Sequence, residues 1–488
     1  MKYIKISIVI LLVSFISIFA YKLTTNNSSN KISLTKEQMK EMLSYTIDGN
    51  KTSSMPTKGS GYKVKSITCK SGSILSWDND NWLLEVEKLE SEDLCNIDFT
   101  TGTGSYTVTA VPSIAGFLDS TSKTTTENGQ VTFYTNLVID SVSGCTNEIS
   151  DGKVIVKNVT SNTTCNINVS YMKLYDKLLS DKSTRPGART DFSKVLTNDN
   201  TKTLYTSTED SKTVYYFAGN ATDNWVKFGK NASNQDLYWR IIRTNSDGGV
   251  RLLYHGTSTT ATDAYIGTSK FNSSYNDIAY VSYMYGNLGS VANARANTTN
   301  STIKTTIDNW YTSNLEAKGY TKYLSTTAVY CNDRSTSNNS NFGANTRLVT
   351  NKAPSYDCSV TEDKFTVDSS TGNGKLTYPI ALMTADEVSF AGGLYGNNAP
   401  TWYYYNSANG SSANDAYWWL LSPINWNGSS TTVFFVYGSS TPGFLSRDSV
   451  NNAYGVRPAI SLKSCTLYST GNGSASDPYT IKETTSGC

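Results

Sequence analysis

Eight cysteines restrict the folds open to this chain of 488 residues. They fall in consecutive pairs, each inside one short segment: 69–95, 145–165, 331–358 and 465–488. Pairing within each segment is therefore favoured over the other connectivities, and each closed loop would add about 3 kcal/mol of stability. A zinc site is the competing interpretation, but the sequence has no Cys-x-x-Cys and its one histidine is His255. The sequence therefore predicts four disulfides, Cys69–Cys95, Cys145–Cys165, Cys331–Cys358 and Cys465–Cys488.

The N-terminus carries an unbroken apolar run, residues 6–21, behind two lysines. As a helix this run would span about 24 Å, short of the ~30 Å hydrocarbon layer, but flanking lysines can snorkel across the difference. A small-x-small cleavage site is missing, because Ile18 stands two residues before Ala20. An uncleaved transmembrane signal anchor is therefore favoured over a cleaved signal peptide. Both alternatives predict a cell-membrane or extracellular location, with residues 1–30 as anchor and polar stalk.

Composition excludes one class of partner. Charged residues make up 17% of the chain, the net charge is +2, and the basic residues are scattered. Nucleic-acid binding requires a clustered basic surface, so it is not expected. The 33 tyrosines and the abundance of Ser, Thr and Asn suit exposed β-rich domains.

Residues 31–171 alternate polar and apolar residues in short runs bounded by turns. After a short helix over residues 33–45, the pattern predicts two small β-sandwich modules, 31–101 and 102–171. Each module holds one cysteine pair, which we expect to pin the sandwich across its core. Rigid spacing of a distal domain is the expected role.

Residues 172–189 predict a linker helix that ends near Arg185-Pro-Gly, and residues 190–488 predict an α+β head. The head opens with a meander in which Asn245-Ser-Asp-Gly-Gly249 is a hairpin turn. Two helices follow, over residues 301–314 and from Thr384 to Ala391, where Thr384 and Glu387 form a capping box. The fold class predicted from the whole sequence is mainly β with an α+β head.

An aromatic strand, residues 417–423, precedes a Ser/Thr/Asn/Gly-rich stretch that closes on residues 454–462. Tyr and Trp give large contact area at low entropic cost, whereas Ser, Gly and Asn give adaptable hydrogen bonds. Neighbours on a strand face opposite ways, so one of Trp418 and Trp419 is expected in the core and the other on the surface. The pattern predicts a recognition surface whose ligand-binding residues are Trp402, Trp418, Trp426, Tyr437, Phe444, Arg447 and Asn451.

Several motifs in the head occur in one order: residues 238–243, 308–311, 384–388, 419–423 and 454–458. Together they resemble bacterial extracellular domains with the C-type-lectin-like fold, distantly similar to the formylglycine-generating enzymes. The two upstream modules resemble short Ig-like repeats of bacterial surface proteins. The resemblance covers residues 190–488 and implies a C-type-lectin-like head. Some proteins with that fold have one segment whose sequence is diversified by retroelements, and the resemblance implies that residues 424–453 would be the corresponding segment here.

Other branches of that fold make demands that this sequence does not meet. Calcium-dependent sugar binding needs acidic-Pro-Asn or Gln-Pro-Asp beside Trp-Asn-Asp, and the head contains neither. Iron-dependent members need several histidines. Formylglycine-generating chemistry needs a reactive pair of cysteines, but Cys331 and Cys358 are better explained as a structural disulfide.

Isolated chemical candidates have structural explanations. His255 has no Gly-x-Ser-x-Gly partner and is interpreted as structural. Asp386 and Glu387 could form a glycosidase pair, but a helix cap already explains Glu387. Calcium is a further alternative, held by Asp415 and Asp448 with Asn425 or Asn427. Neither a catalytic residue nor a cofactor is predicted, and Arg457 is expected to order its strand from the interior.

These observations predict a membrane-anchored, adhesin-like receptor without enzymatic activity. Residues 6–21 would contact the membrane, and the head would bind an extracellular protein or glycan. Two alternatives stay open: an enzyme on the same fold that acts on cell-surface polymers, and a purely structural envelope protein.

Overall fold

The computed structural model describes residues 41–79, 82–90, 92–102, 104–196, 203–261, 264–336, 340–399, 417–437 and 443–488, together with the backbone of 5–11 and 18–24. The chain divides into two compact units, Met1–Tyr171 and Met172–Cys488. Both units are mainly β, as the alternating sequence predicts.

The first module consists of two sheets with the strand orders β4-β3-β8-β5 and β2-β1-β7-β6. Trp82, Leu84 and Val86 from one sheet and Ile97 and Phe99 from the other form its core. Period-two alternation places these side chains on one face of each strand. The strands are β1 Lys5–Leu11, β2 Ile18–Thr24, β3 Leu43–Ile47, β4 Asn50–Thr52, β5 Tyr62–Cys69, β6 Ile74–Asp78, β7 Leu83–Lys88 and β8 Cys95–Thr101.

The N-terminal segment differs from the predicted helix over residues 6–21. The backbone of β1 and β2 is extended, and β1 pairs with both β2 and β7, while residues 12–17 lie outside the described part. No helix among the described residues combines the length and the apolar character that crossing a bilayer requires. The membrane anchor therefore stays a prediction. The predicted helix over 33–45 is wrong at its end, where residues 43–45 pair as strand with β8, and residues 33–40 are not described.

The second module also has two sheets, β10-β9-β15-β12 and β11-β14-β13. Buried residues such as Val108, Phe133, Val154 and Ile167 fill the space between them. The two-sheet arrangement matches the prediction, whereas kinship with Ig-like repeats stays a resemblance. The strands are β9 Ser105–Pro112, β10 Ser122–Thr126, β11 Gly129–Tyr134, β12 Val138–Ser143, β13 Asn147–Ser150, β14 Lys153–Val159 and β15 Thr163–Ser170.

All four predicted disulfides are present, but those of the two modules do not cross the cores. Cys69 lies directly opposite Cys95 in the β5–β8 pair. Cys145 follows β12 and joins Cys165 in β15, the strand next to β12 in the same sheet. The expectation of sandwiches pinned across their cores is therefore wrong, because each bond staples neighbouring strands.

Asp93 organises the turn beside the first disulfide. Its carboxylate accepts hydrogen bonds from the backbone N–H groups of Ser71 and Ser73, at 2.6 and 2.8 Å. The residue has no exposed surface. Burial acts to raise the pKa of Asp93, but the hydrogen bonds from Ser73 and its neighbours outweigh burial and lower the pKa to about 2.

The head begins at Met172, earlier than the predicted boundary at 190. The helix α1 covers Leu174–Asp181, and Leu174 and Leu178 are buried in the main hydrophobic core of the head. Backbone hydrogen bonds join Leu174 N–H to the carbonyl of Thr466 and Tyr468 N–H to the carbonyl of Met172, both at 2.8 Å. The predicted linker helix is therefore part of the head.

The central sheet of the head has the order β16-β17-β18-β20-β19-β34-β33, and β21 extends from β20 through β32 to β27. The predicted hairpin turn at 245–249 joins β20 to β21. The strands are β16 Ser183–Thr184, β17 Thr203–Glu209, β18 Lys212–Tyr216, β19 Trp225–Lys230, β20 Asp236–Thr244, β21 Val250–Gly256, β22 Thr268–Lys270, β23 Met284–Tyr285, β24 Thr299–Asn300, β25 Tyr330–Cys331, β26 Lys364–Phe365, β27 Ile380–Leu382, β28 Trp418–Trp426, β29 Thr431–Val436, β30 Leu445–Ser449, β31 Ala453–Gly455, β32 Pro458–Leu462, β33 Tyr468–Thr470 and β34 Tyr479–Ile481.

Four further α-helices are α2 Val291–Ala294, α3 Thr302–Tyr311, α4 Gly343–Asn345 and α5 Ala385–Phe390. The side chain of Ser301 caps α3, while the Thr384–Glu387 capping box opens α5 as predicted. Another sheet, β22-β31-β28-β29-β30, carries most of the predicted recognition segment.

Candidate functional site

A cluster of aromatic rings lies on one face of the β28–β29–β30 strands. Paired residues of antiparallel neighbours share a face, and Trp419 pairs with Phe435 while Phe435 pairs with Ser446. Alternation along β29 continues this face from Phe435 to Tyr437. Tyr454, which lies in β31, packs against Trp419 and Phe435, with its ring centroid 4.7 and 5.1 Å from theirs and the ring planes tilted.

Four of these rings are partly exposed, and two lie beneath them. We call the four the aromatic face: Tyr417, Tyr437, Phe444 and Tyr454. Tyr437 is central, with its ring centroid 4.6 Å from that of Tyr417 and 5.6 Å from that of Phe444. Trp419 and Phe435 have no exposed surface, so they hold the exposed rings in place from below.

Hydrogen bonding fixes the polar edge of the aromatic face. The hydroxyl of Tyr454 donates to the carboxylate of Asp448, whose other oxygen accepts from the N–H of Ser449 at 2.6 Å. Burial, followed by the bond to Asp448, raises the pKa of Tyr454. Burial also raises the pKa of Tyr437, with smaller contributions from Tyr417 and Asp448. Both phenols therefore stay protonated and can act as hydrogen-bond donors at neutral pH.

Of the residues predicted to bind ligand, Tyr437 and Phe444 lie together in the aromatic face. Trp426 is partly buried at the opposite end of β28. Trp426 pairs with Thr431 and Trp418 with Val436, and the five steps of β29 between those partners correspond to roughly 17 Å. Arg447 is exposed but pairs with Phe434, so it belongs to the other face of the sheet. Asn451 follows β30 and accepts a hydrogen bond from the Ser449 hydroxyl at 2.7 Å, and Trp402 lies outside the described residues.

Trp418 is wrongly predicted as a contact residue. Its side chain is fully buried, with the Arg457 guanidinium 4.8 Å from its ring centroid. Trp419 is equally buried, and its indole N–H donates to the carbonyl of Ser269 at 2.9 Å. The expectation that one of the two tryptophans would be exposed fails because β28 is covered on both faces. Arg457 is interior, as predicted, with its guanidinium against the carbonyl of Tyr254.

The sequence reasoning missed Tyr417 and Tyr454 as members of the site. In the sequence they begin the two strands on either side of the polar stretch. Only the strand register reveals that their rings meet, with centroids 5.2 Å apart. The signal that could have found them is period two: Tyr417 and Trp419 share a face, as do Phe435 and Tyr437.

Arginines engage the carboxylates considered for glycosidase chemistry. Glu387 contacts Arg243 and Arg251 at 3.1 and 2.8 Å, while Asp386 contacts Arg347 at 2.9 Å. Arg243 also pairs with Glu209. Burial acts to raise the pKa of Glu209, but Arg243 outweighs it and holds that pKa below its ordinary value.

Possible metal ligands are likewise engaged. One group of three within 4.8 Å occurs among the described residues, Cys69, Asp93 and Cys95, but both sulfurs are in a disulfide and cannot serve as thiolates. For the calcium alternative, the Asn427 side chain accepts from the N–H groups of its own turn, and Asp415 lies outside the described residues. His255 is buried with its ring against Trp225.

Comparisons with known proteins give one match, which lies within the head. No curated protein and no solved structure matches the chain. Residues 357–464, the segment that holds α5, β28 to β32 and the whole aromatic face, match a family described as a domain of unknown function, DUF6273.

Proposed function

We propose that this chain is an extracellular, membrane-anchored binding protein whose head recognises a protein or glycan through the aromatic face. The observation that carries this proposal is the set of four partly exposed rings, Tyr417, Tyr437, Phe444 and Tyr454, supported by a buried Trp419–Phe435 layer. Soluble proteins rarely leave clustered aromatic surface open without a use for it.

The aromatic face suits binding because its rings are already ordered. Contacts among them and the Tyr454–Asp448 hydrogen bond restrict their rotamers before a ligand arrives. Less side-chain entropy is then lost on association. The protonated hydroxyl of Tyr437 can donate to a sugar oxygen or a peptide carbonyl, while the ring faces can cover apolar CH groups.

The cysteine chemistry supports the location. All eight cysteines are in disulfides, a state that persists in oxidising compartments and is rare in the cytosol. Residues 6–21 would hold the chain at the membrane, and the C-type-lectin-like and Ig-like resemblances fit the same setting.

The test uses a soluble fragment, 172–488, on glycan arrays and on arrays of extracellular proteins. Replacing Tyr437 and Phe444 with alanine should weaken any binding detected by more than tenfold, because central aromatic residues each contribute over about 1 kcal/mol at interfaces. Tyr275→Ala is the matched control, since Tyr275 is 44% exposed and lies outside the aromatic face. Unchanged binding by a folded Tyr437→Ala, Phe444→Ala variant would refute the assignment.

A further inference from the structure

A buried lysine and a buried aspartate meet where α1 joins the body of the head. The Nζ of Lys182 lies 2.5 Å from Oδ2 of Asp223, and each side chain is only 3% exposed. Lys182 directly follows α1, and Asp223 lies in the loop before β19. The two residues are 41 positions apart in sequence.

An aromatic ring and a backbone carbonyl lie against Lys182. The Tyr479 ring centroid is 5.5 Å from Nζ of Lys182, and the carbonyl of Asn472 accepts from the same nitrogen at 3.3 Å. The Tyr479 hydroxyl donates to Asp181 at 2.8 Å, while Asp181 also pairs with Lys177. The ring that covers Lys182 is therefore held in place by its own hydrogen bond.

Asp223 is incompletely satisfied for a buried carboxylate. Its Oδ1 is buried and has no hydrogen-bond partner. A buried ion pair needs further hydrogen bonds to replace the hydration that both groups lose. The two side chains place an amine and a carboxyl group in direct contact and away from water. This is the pair of functional groups from which an amide forms.

We propose that Lys182 and Asp223 form an intramolecular isopeptide bond. A proton moves from the Lys182 ammonium to the Asp223 carboxylate within the pair. The lone pair of Nζ then attacks Cγ of Asp223 and the Nζ–Cγ bond forms. The bond from Cγ to the protonated carboxyl oxygen breaks, and this oxygen leaves as water with its own proton and one proton from Nζ, while the other proton stays on the amide nitrogen. The other oxygen stays as the amide carbonyl. The reaction is a condensation that needs neither an oxidant nor another co-reactant.

Burial, rather than distance alone, distinguishes this pair. Lys230–Asp236 and Lys123–Asp119 have the same 2.5 Å separation, but their side chains are 28–42% exposed, so water reaches both groups. Lys304 and Asp308 are also close and largely buried. However, they lie one turn apart on α3, where a covalent link would join only adjacent turns.

The experiment is intact-mass spectrometry of the full-length protein, compared with its Lys182→Arg variant. Arginine keeps the positive charge but cannot form this amide. The variant should be heavier than the wild type by the Lys-to-Arg mass difference plus the mass of one water molecule, because only the wild-type protein loses water on forming the amide. Comparing the two proteins cancels any processing of the N-terminus. After reduction and trypsin digestion, tandem spectra should show a branched peptide that joins residues 178–189 to 213–227.

A second variant and one artefact complete the test. Asp223→Ala should also restore the missing water and abolish the branched peptide. A water deficit that survives in Lys182→Arg would indicate an aspartate cyclised on its own backbone and would overturn the proposal. A wild-type mass without any deficit would leave the pair as an ordinary ion pair and would overturn it equally.

Discussion

Glu387 connects the first turn of α5 to two buried arginines, and its replacement by glutamine tests how much this charge stabilises the head. One carboxylate oxygen lies 3.1 Å from Nε of Arg243 and 2.8 Å from Nε of Arg251. The other oxygen accepts from the N–H of Thr384 at 2.9 Å. None of the three charged side chains is more than 4% exposed.

Glutamine keeps the shape of Glu387 but has one acceptor atom and no charge. With its carbonyl toward the arginines, its NH2 group faces the Thr384 N–H, and the loss of this cap costs about 1 kcal/mol. Removing one partner of a buried ion pair costs about 3–5 kcal/mol. Glu209 still neutralises Arg243 at 2.7 Å and limits that loss. We therefore expect Glu387→Gln to lower the free energy of unfolding by about 3–4 kcal/mol in total.

Urea unfolding of fragment 172–488, followed by tryptophan fluorescence, measures this change as a lower midpoint with an unaltered slope. Asp236→Asn is the matched control, because it breaks the exposed Lys230–Asp236 pair, which is worth less than about 1 kcal/mol. If Glu387→Gln costs no more than Asp236→Asn, the buried charge does not stabilise the head and the reasoning fails.

Three further results are expected. Replacing Cys145 and Cys165 with alanine opens a loop of 20 residues and should cost about 3 kcal/mol in urea unfolding of the unit Met1–Tyr171; an unchanged midpoint would contradict this. Trp418→Ala should cost about 3–5 kcal/mol, whereas Trp426→Ala, at a partly exposed site, should lower the thermal midpoint of 172–488 much less. The pKa of Asp93 falls from 3.8 to about 2 on folding, so its contribution is present above pH 3.8 and is lost as the pH falls toward 2. The stability difference between wild type and Asp93→Asn, followed by urea titration, should shrink across that window, and a constant difference would refute the role of the carboxylate.

Local signals in the sequence predicted much of the fold correctly. Cysteine spacing identified the four disulfides, and the Thr384–Glu387 capping box located α5. These features depend on residues that are close together in the chain, so they can be predicted without knowledge of the tertiary structure. The apolar run at the N-terminus shows the limit of this approach, because apolar residues alone do not distinguish helix from strand.

The candidate site was only partly predictable, because its composition depends on strand register. Polar neighbours around Trp426, Tyr437 and Phe444 suggested exposure for all three, but pairing places Trp426 at the far end of β28. Alternation predicts that one of Trp418 and Trp419 is exposed, and this prediction assumes a sheet with one solvated face. A second layer over β28 removes that face, and nothing local to residues 417–423 indicates it.

The hydrogen bonds between Met172–Leu174 and Thr466–Tyr468 determine where mechanical load would enter the head. A pull on the chain at Met172 would be resisted first by this short pairing and by the buried side chains of α1. The nearby Cys465–Cys488 bond prevents the last residues from peeling away. The aromatic face belongs to a different sheet, so tension at Met172 does not act directly on the strands that carry its rings.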